Sequence, residues 1–448
     1  MNRSEEEQKS KVLELAKKKD VKLVNLQFTD LIGTTKNLQI PVTRLEDVLD
    51  RGTGFDGSSI EGFVRIFESD MVAIPDPATF RILPGRPADK AEARLICNIH
   101  RPGGEPFEGD PRFILRKMLE KAASSGWIYN TGPELEFFLL KTDDVKPAPH
   151  DVGGYFDFSP RDAASEVRRD AIFALDQLGF NIEMGHHEVA SGQHEVDFKF
   201  GEALSTADNA ITYKYTLKAI AAQNGLVATF MPKPFFGMNG SGMHTHQSFV
   251  DVKTGRNAFY DESDKYHLSD IAYYFIGGQL RYAREICGIV APTVNSYKRL
   301  VPGYEAPVYI CWARRNRSAL IRVPEYFPGE EMATRAELRC PDPSCNPYLA
   351  FAVMLGAGLE GIEKKIEPPD PVEEDVYEFD DAKLAKFYIN TLPGSLGEAI
   401  EELEKSSLVE KTLGSYTHQR FLEAKRAEWD EYRLRVSDWE IERYLHTA

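Results

Sequence analysis

The stretch Asn239–Phe249, NGSGMHTHQSF, constrains this chain more than any other. Gly240 and Gly242 lead into a run that reads as a strand. Successive side chains of an extended backbone point to opposite faces. His244, His246 and Ser248 therefore share one face, and Met243, Thr245, Gln247 and Phe249 share the other. The glycines let backbone approach a ligand closely. Two neutral imidazoles side by side can take a metal ion or a phosphate. A lone His-x-His is more often a pair of surface histidines, so the rest of the chain must carry the distinction.

Carboxylates carry it. In GPELEFFLL, Gly132–Leu140, an expected strand, Glu134 and Glu136 share a face of an otherwise apolar run. Two like charges on a buried face are costly unless a cation neutralises them. In HHEVASGQHE, a two-residue turn at Ser191-Gly192 folds a hairpin in which Glu188 faces Glu195. Opposed glutamates repel, and a divalent cation between them removes the conflict. Glu337, in TRAELRCP, falls between Arg335 and Arg339 on one strand face. With His244 these residues make six candidate ligands, enough for two ions with three protein ligands each. Oxygen-rich sets of this kind suit Mg2+ or Mn2+. A solvated acidic hairpin, or a surface row of ion pairs, is the plainer reading of any one of them alone.

Arg299, Arg315, Arg317, Arg322 and Arg339 add guanidiniums suited to phosphate or carboxylate. The chain has no GxxxxGK[ST] loop, so ions and arginines would have to hold the phosphates of any nucleotide. The net charge of -16 argues against a general nucleic-acid or anionic-membrane binder. Five cysteines without a CxxC pair fit reduced thiols, and the charged N-terminus lacks a signal-peptide core. The apolar run Leu349–Leu359 is too short to span a bilayer. A cytoplasmic enzyme without membrane or nucleic-acid partners is expected.

The periodicities predict an N-terminal helix over Ser4–Lys19, strands over Val21–Phe28 and Lys36–Val42, and a helix over Thr43–Asp50 capped by Thr43 and Glu46. Helices are predicted over Pro111–Ser124, Ser269–Val290 and Asn346–Lys364, with terminal helices over Ser395–Leu445. The Pro- and Gly-rich Arg101–Asp110 segment marks a boundary, giving domains 1–106 and 107–448.

The stretches FDGSSIEGF, GPELEFF, HHEVASGQHE, NGSGMHTHQS, NSYKRLVPGYEAP, RNRSALIRVP and ELRCPDPSCNPYLA occur in this order. In order and spacing the chain resembles type I glutamine synthetase, in its short subgroup that is not adenylylated. The resemblance implies an α+β fold: a small β-grasp-like N-terminal domain and a large α/β catalytic domain with a curved antiparallel sheet. It implies ligation of ammonia to glutamate with ATP, through a γ-glutamyl phosphate. It also implies two to three Mg2+ or Mn2+ ions per site, and a homo-dodecamer of two hexameric rings with active sites between neighbours.

By the same resemblance, Glu136, Glu188 and Glu195 hold one ion, and Glu134, His244 and Glu337 the other. Glu183, His246, Ser248, Arg317 and Arg322 serve ATP. Asn239, Gly240, Arg299, Glu305, Arg317 and Arg339 serve glutamate. Asp56 binds and deprotonates ammonium across a subunit interface, Glu305 closes the site and takes a proton, and Arg317 faces the transferring phosphate. Tyr377 is followed by Glu-Phe-Asp-Asp, not the LPPEE-like run that marks adenylylated relatives. Control by metabolites or small regulatory proteins is implied instead, with Arg65 associated with glutamine feedback. A glutamate–polyamine ligase, a non-catalytic homologue and a metallohydrolase on the same carboxylates remain open alternatives.

Overall fold

The structure, a computed structural model, describes residues 3–60, 62, 70–85, 87–141, 146–302 and 306–447. Alternating apolar residues near the N-terminus build one sheet from Leu23–Thr29 (β1), Thr35–Pro41 (β2), Thr53–Asp56 (β3), Asp70–Pro75 (β4), Arg81–Ile82 (β5) and Glu92–His100 (β6). The spatial order is β2-β1-β6-β4-β3, with β5 beside β6. β1 runs parallel to β6, and the remaining ladders are antiparallel. Helices Arg3–Lys18 and Leu45–Arg51 press Val12, Ala16, Val48 and Leu49 onto Val24, Leu26 and Leu95 of this sheet. The expected capping box at Thr43 does not form. Thr43 lies inside a 3-10 turn, Val42–Arg44, and the helix behind it has no side-chain cap.

Helix Pro111–Ser124 forms over the span the sequence predicts. The Asp110 carboxylate accepts from the Arg112 amide, and proline opens the first turn. Two sheets follow. Their strands are Trp127–Leu135 (β7), Phe137–Lys141 (β8), Ala148–Pro149 (β9), Ile182–His187 (β10), Gln193–Phe198 (β11), Gly201–Glu202 (β12), Val227–Thr229 (β13), Met243–Asp251 (β14), Tyr309–Ala313 (β15), Ala319–Arg322 (β16) and Ala336–Leu338 (β17). One sheet runs β12-β7-β14-β17-β16-β15, and the other runs β10-β11-β8-β13 with β9 on β8. Every ladder is antiparallel except β15 with β16. The α+β expectation and the antiparallel character of the catalytic sheets are both met.

The single strand expected over Gly132–Leu140 is broken at Glu136. The chain changes sheets there: β7 pairs with β14, whereas β8 pairs with β11 and β13. The Glu136 amide leaves both ladders and donates to the Gly242 carbonyl at 3.2 Å. The apolar run at Leu349 is the spine of the core: in helix Pro347–Lys364, Leu349–Leu355 is wholly buried. The predicted helix Ser269–Val290 is two helices, Asp270–Arg281 and Ala283–Val290, parted at Tyr282. Gly278 lets the first half lie against helix Pro347–Lys364, since a Cβ there would fall 2.2 Å from the Ala357 carbonyl. Among the described residues, no helix is long and apolar enough to cross a membrane.

Candidate active site

The junction of the two sheets gathers the acids. β14 lies between β7 and β17, in a register that sets His244 opposite Glu134 and His246 opposite Glu337. Alternation then places Glu134, His244, His246 and Glu337 together. His244 Nδ1 is 3.4 Å from Glu134 Oε2 and 3.7 Å from Glu337 Oε1. His246 Nε2 is 2.8 Å from Glu134 Oε1. From the second sheet, His186 Nε2 is 2.9 Å from Glu188 Oε1 and 3.9 Å from Glu195 Oε1.

The hairpin that carries Glu188 and Glu195 departs from the expected register. His187 pairs with His194, and His186 pairs with Glu195. The turn is a four-residue loop, closed by Glu188 N donating to Gln193 O at 2.8 Å and Gln193 N donating to Ala190 O at 2.9 Å. Glu188 therefore does not face Glu195 directly. A register displacement of two keeps every side chain on its face, so both acids still converge on His186.

Burial and partners divide the carboxylates into two kinds. Burial disfavours the ionised form of Glu134, but His246 and His244 outweigh it and hold this carboxyl well below the usual range. Burial likewise opposes ionisation of Glu337, while Arg339, His246 and His244 bring it below the ordinary value. On the other side the compensation falls short: Arg299 and the Gly242 amide favour ionised Glu136 without outweighing burial. Burial, then Glu188, pushes Glu136 up to about 8. Burial, then Asp197 and Glu134, pushes Glu195 well up. Burial and Glu134 lift Asp197 to about 6. A divalent cation would neutralise such a set. Glu337 Oε2 and His186 Nδ1 are buried without a hydrogen bond. Carboxylate oxygens with imidazole nitrogen fit Mg2+ or Mn2+.

Two cavities flank the junction. The larger, about 360 Å3, is lined by Glu183, Asp197, His246, Ser248 and Arg335, among others. The smaller, about 50 Å3, is lined by Glu136, Glu188, Asn239, Gly240, Arg299 and Arg339, among others. A Cβ on Gly240 would stand 2.3 Å from the Pro232 carbonyl, and one on Gly242 would stand 2.6 Å from Arg299 Nη2. These glycines therefore leave the smaller cavity its space. The Arg299 guanidinium donates to the carbonyls of Arg339, Cys340 and Pro341, bracing the exit of β17. Arg339 pairs with Glu337 Oε1 at 2.6 Å while its buried Nε has no partner. Arg322 stands 3.0 Å from Glu337 Oε2, beside the carboxylates and not among the residues that line the larger cavity.

Other candidates lie elsewhere. Arg317 is exposed and meets Tyr155. Asp56 ends β3 in the N-terminal sheet, where its carboxylate accepts from the Ser58 amide at 2.8 Å. Glu305 and Arg65 lie outside the described residues. Sequence reasoning missed His186, Asp197 and Arg335 as site residues. Asp197 follows Glu195 by two and shares its face, a signal present in HEVDF. Arg335 donates from Nε to His246 Nδ1 at 3.1 Å. That contact depends on β14 and β17 being adjacent, which no local pattern announces.

Residues 20–102 match the model of the glutamine synthetase β-grasp domain, and residues 108–444 match that of the glutamine synthetase catalytic domain. The chain is 52% identical to a glutamine synthetase of Methanosarcina mazei, over 98% of this chain and 97% of the relative. It is 50% identical to one of Thermus thermophilus, over 98% and 99%. Among solved structures, a GmaS/ADP complex superposes with a TM-score of 0.86 at 33% identity, covering 97% of this chain and 99% of that one. By both of its domains, and by half-identity to these enzymes from end to end, the chain belongs to the glutamine synthetase family.

Proposed function

We propose that this chain joins ammonia to the γ-carboxylate of L-glutamate, giving L-glutamine while ATP becomes ADP and phosphate. The observation that carries this is end-to-end identity of about half to glutamine synthetases. An acidic junction flanked by two cavities agrees with it. A γ-carboxylate oxygen attacks the γ-phosphorus, and the bond to the ADP oxygen breaks, leaving γ-glutamyl phosphate. Ammonia then attacks the acyl carbon, phosphate leaves, and the amine sheds a proton.

Asn239, Gly240, Arg299 and Arg339 hold glutamate in the smaller cavity. Glu183, His246, Ser248 and Arg322 serve the nucleotide, and Arg317 meets the transferring phosphoryl. Asp56 of a neighbouring subunit takes the proton from ammonium. Glu305 closes the site against water and receives the amine proton. Glu136, Glu188 and Glu195 would hold one ion and Glu134, His244 and Glu337 another. Mg2+ or Mn2+, when bound, neutralises phosphate charge there.

The domain division at 106/107, the cytoplasmic setting and a dodecamer of two rings are part of the same reading. Exposed Leu434, Val436 and Trp439 near the C-terminus support a subunit contact. Tyr377 is half-buried, and its hydroxyl donates to the Ala306 carbonyl. That engaged hydroxyl, with the missing LPPEE-like run, weighs against adenylylation; control by metabolites or regulatory proteins, with Arg65 in glutamine feedback, is the reading kept. Coupled assays for ADP and glutamine test the main reading. Turnover should need glutamate, ammonia, ATP and a divalent ion together, and Glu188→Ala should abolish it. Turnover of a polyamine but not of ammonia would move the chain to a different amine ligase.

A further inference from the structure

Behind the acidic hairpin lies a second cluster of titratable groups, His150, Asp151, His187 and His194, for which the reaction has no use. All four side chains are almost fully buried. Asp151 collects donors from separate segments. Oδ1 accepts from Gly192 N at 2.8 Å, from His187 Nε2 at 3.2 Å and from Gly153 N at 3.3 Å. Oδ2 stands 2.9 Å from His150 Nε2 and accepts from Ala163 N at 3.3 Å. His187 Nδ1 in turn donates to the Glu188 carbonyl at 2.7 Å. Both nitrogens of His187 are engaged, one on Asp151 and one on the Glu188 backbone, so the ring bridges the two.

The result is a line from the Asp151 carboxylate through the His187 ring to the backbone of Glu188. Gly192, at the far side of the same turn, is held by the same carboxylate. The loop that supplies Asp151 continues into Tyr155 and Phe156, whose rings lie 5.7 Å and 4.8 Å from that of His186. Phe156 N also donates to the His187 carbonyl at 3.0 Å. One buried carboxylate thus sets both ends of the acidic turn and the aromatic cover over it.

The cluster is not itself an ion site. His150, Asp151 and His194 offer ligand atoms within 4.8 Å of one another. However, Arg168 Nη1 donates to His194 Nδ1 at 3.0 Å. Neutral His194 then carries its proton on Nε2, and a protonated nitrogen cannot ligate.

We propose that Asp151, acting through His187 and the Gly192 amide, is a positioning residue that sets Glu188 and Glu195 for ion binding. The inference rests on the assignment of those two acids to an ion. Mn2+ titration of the full-length protein without substrates, read by electron paramagnetic resonance, tests it. Glu188→Ala and His244→Ala identify the hairpin class and the β14 class of bound ion. Asp151→Asn should weaken the hairpin class about 10–100-fold and spare the other, as loss of a partner behind a ligand does. Gly153→Ala should do the same without removing any hydrogen-bonding side chain, because its Cβ would fall 2.5 Å from His187 Nε2. It carries the test if thermal melting shows Asp151→Asn unfolded. Unchanged binding in the variants, or equal weakening of both classes, overturns the inference alone. If Glu188→Ala leaves all Mn2+ binding intact, the assignment of the hairpin acids falls, and the inference falls with it.

Discussion

His246 donates its Nε2 proton to Glu134 Oε1 at 2.8 Å, and the tautomer is fixed because Arg335 donates to Nδ1 at 3.1 Å. His244 differs. Its Nδ1 stands 3.4 Å and 3.7 Å from the oxygens of Glu134 and Glu337, beyond a good hydrogen bond. The two imidazoles of one strand face therefore have separate tasks: His244 looks into the gap between acids, and His246 orients one of them.

Loss of Mn2+ affinity should accordingly be unequal. On the proposed assignment, His246→Ala leaves the ligand set whole but frees Glu134, costing about 10–100-fold. On the same assignment His244→Ala removes a ligand and should cost more. Equal losses in a direct Mn2+ titration would show that the two tasks are the same.

Ion binding should release protons near neutral pH. Glu136, pushed up to about 8, is largely protonated at pH 7 in the ion-free protein, and Glu195 is displaced in the same direction. An ion needs the carboxylate form, so affinity should rise with pH and flatten for Glu136 above about 8. Calorimetry in buffers of different ionisation enthalpy should find more protons released at pH 7 than at pH 9. Glu136→Gln should remove that difference in large part. Equal release at both pH values would contradict the burial argument.

Glycine at 240 and 242 keeps side chains out of the smaller cavity. Gly242→Ala places a methyl against the Arg299 guanidinium, which cannot swing away while it is bonded to three carbonyls. Overpacking of this kind costs about 1–3 kcal/mol. The thermal midpoint should fall accordingly, and the glutamate KM should rise about tenfold or more at temperatures where the variant stays folded. An unaltered KM would place glutamate elsewhere.

Arg112 ties the N-terminal sheet to the catalytic region. Its buried guanidinium is held by Asp208 through two bonds of 3.0 Å and 2.9 Å, and by Asp76 at 2.8 Å. Asp208→Ala would take away two of the guanidinium's bonds, leaving Asp76 as its carboxylate partner, and would remove the acceptor of the Tyr348 hydroxyl. The expected loss is about 3–5 kcal/mol, the range for breaking a buried pair. A lowered denaturation midpoint checks it, and a shift under ~1 kcal/mol would mean that water reaches the pair.

Much of the site could be read locally, because strand alternation alone groups residues two apart. The shared faces of His244 with His246 and of Glu195 with Asp197 follow from a period of two, whereas the register of Glu188 against Glu195 and the strand break at Glu136 do not. Long stretches such as Pro111–Ser124 were equally legible, since cap, proline and apolar period agree there. The Thr43 cap was not, because a 3-10 turn placed it inside the bend.

Sequence by itself determined which residue types stand at which spacing, and hence the chemistry on offer: carboxylates, imidazoles and guanidiniums around glycines that leave space. Only the tertiary structure decided how they are shared out. Adjacency of β7, β14 and β17 sets Arg335 on His246 and brings both imidazoles to Glu134 and Glu337, so those acids are compensated. The sheet change at Glu136 buries it beside Glu188, and Arg299 with the Gly242 amide offsets only part of the cost of its charge. Ionisation depends on burial and on neighbours across strands, and neither is a property of any local run of sequence.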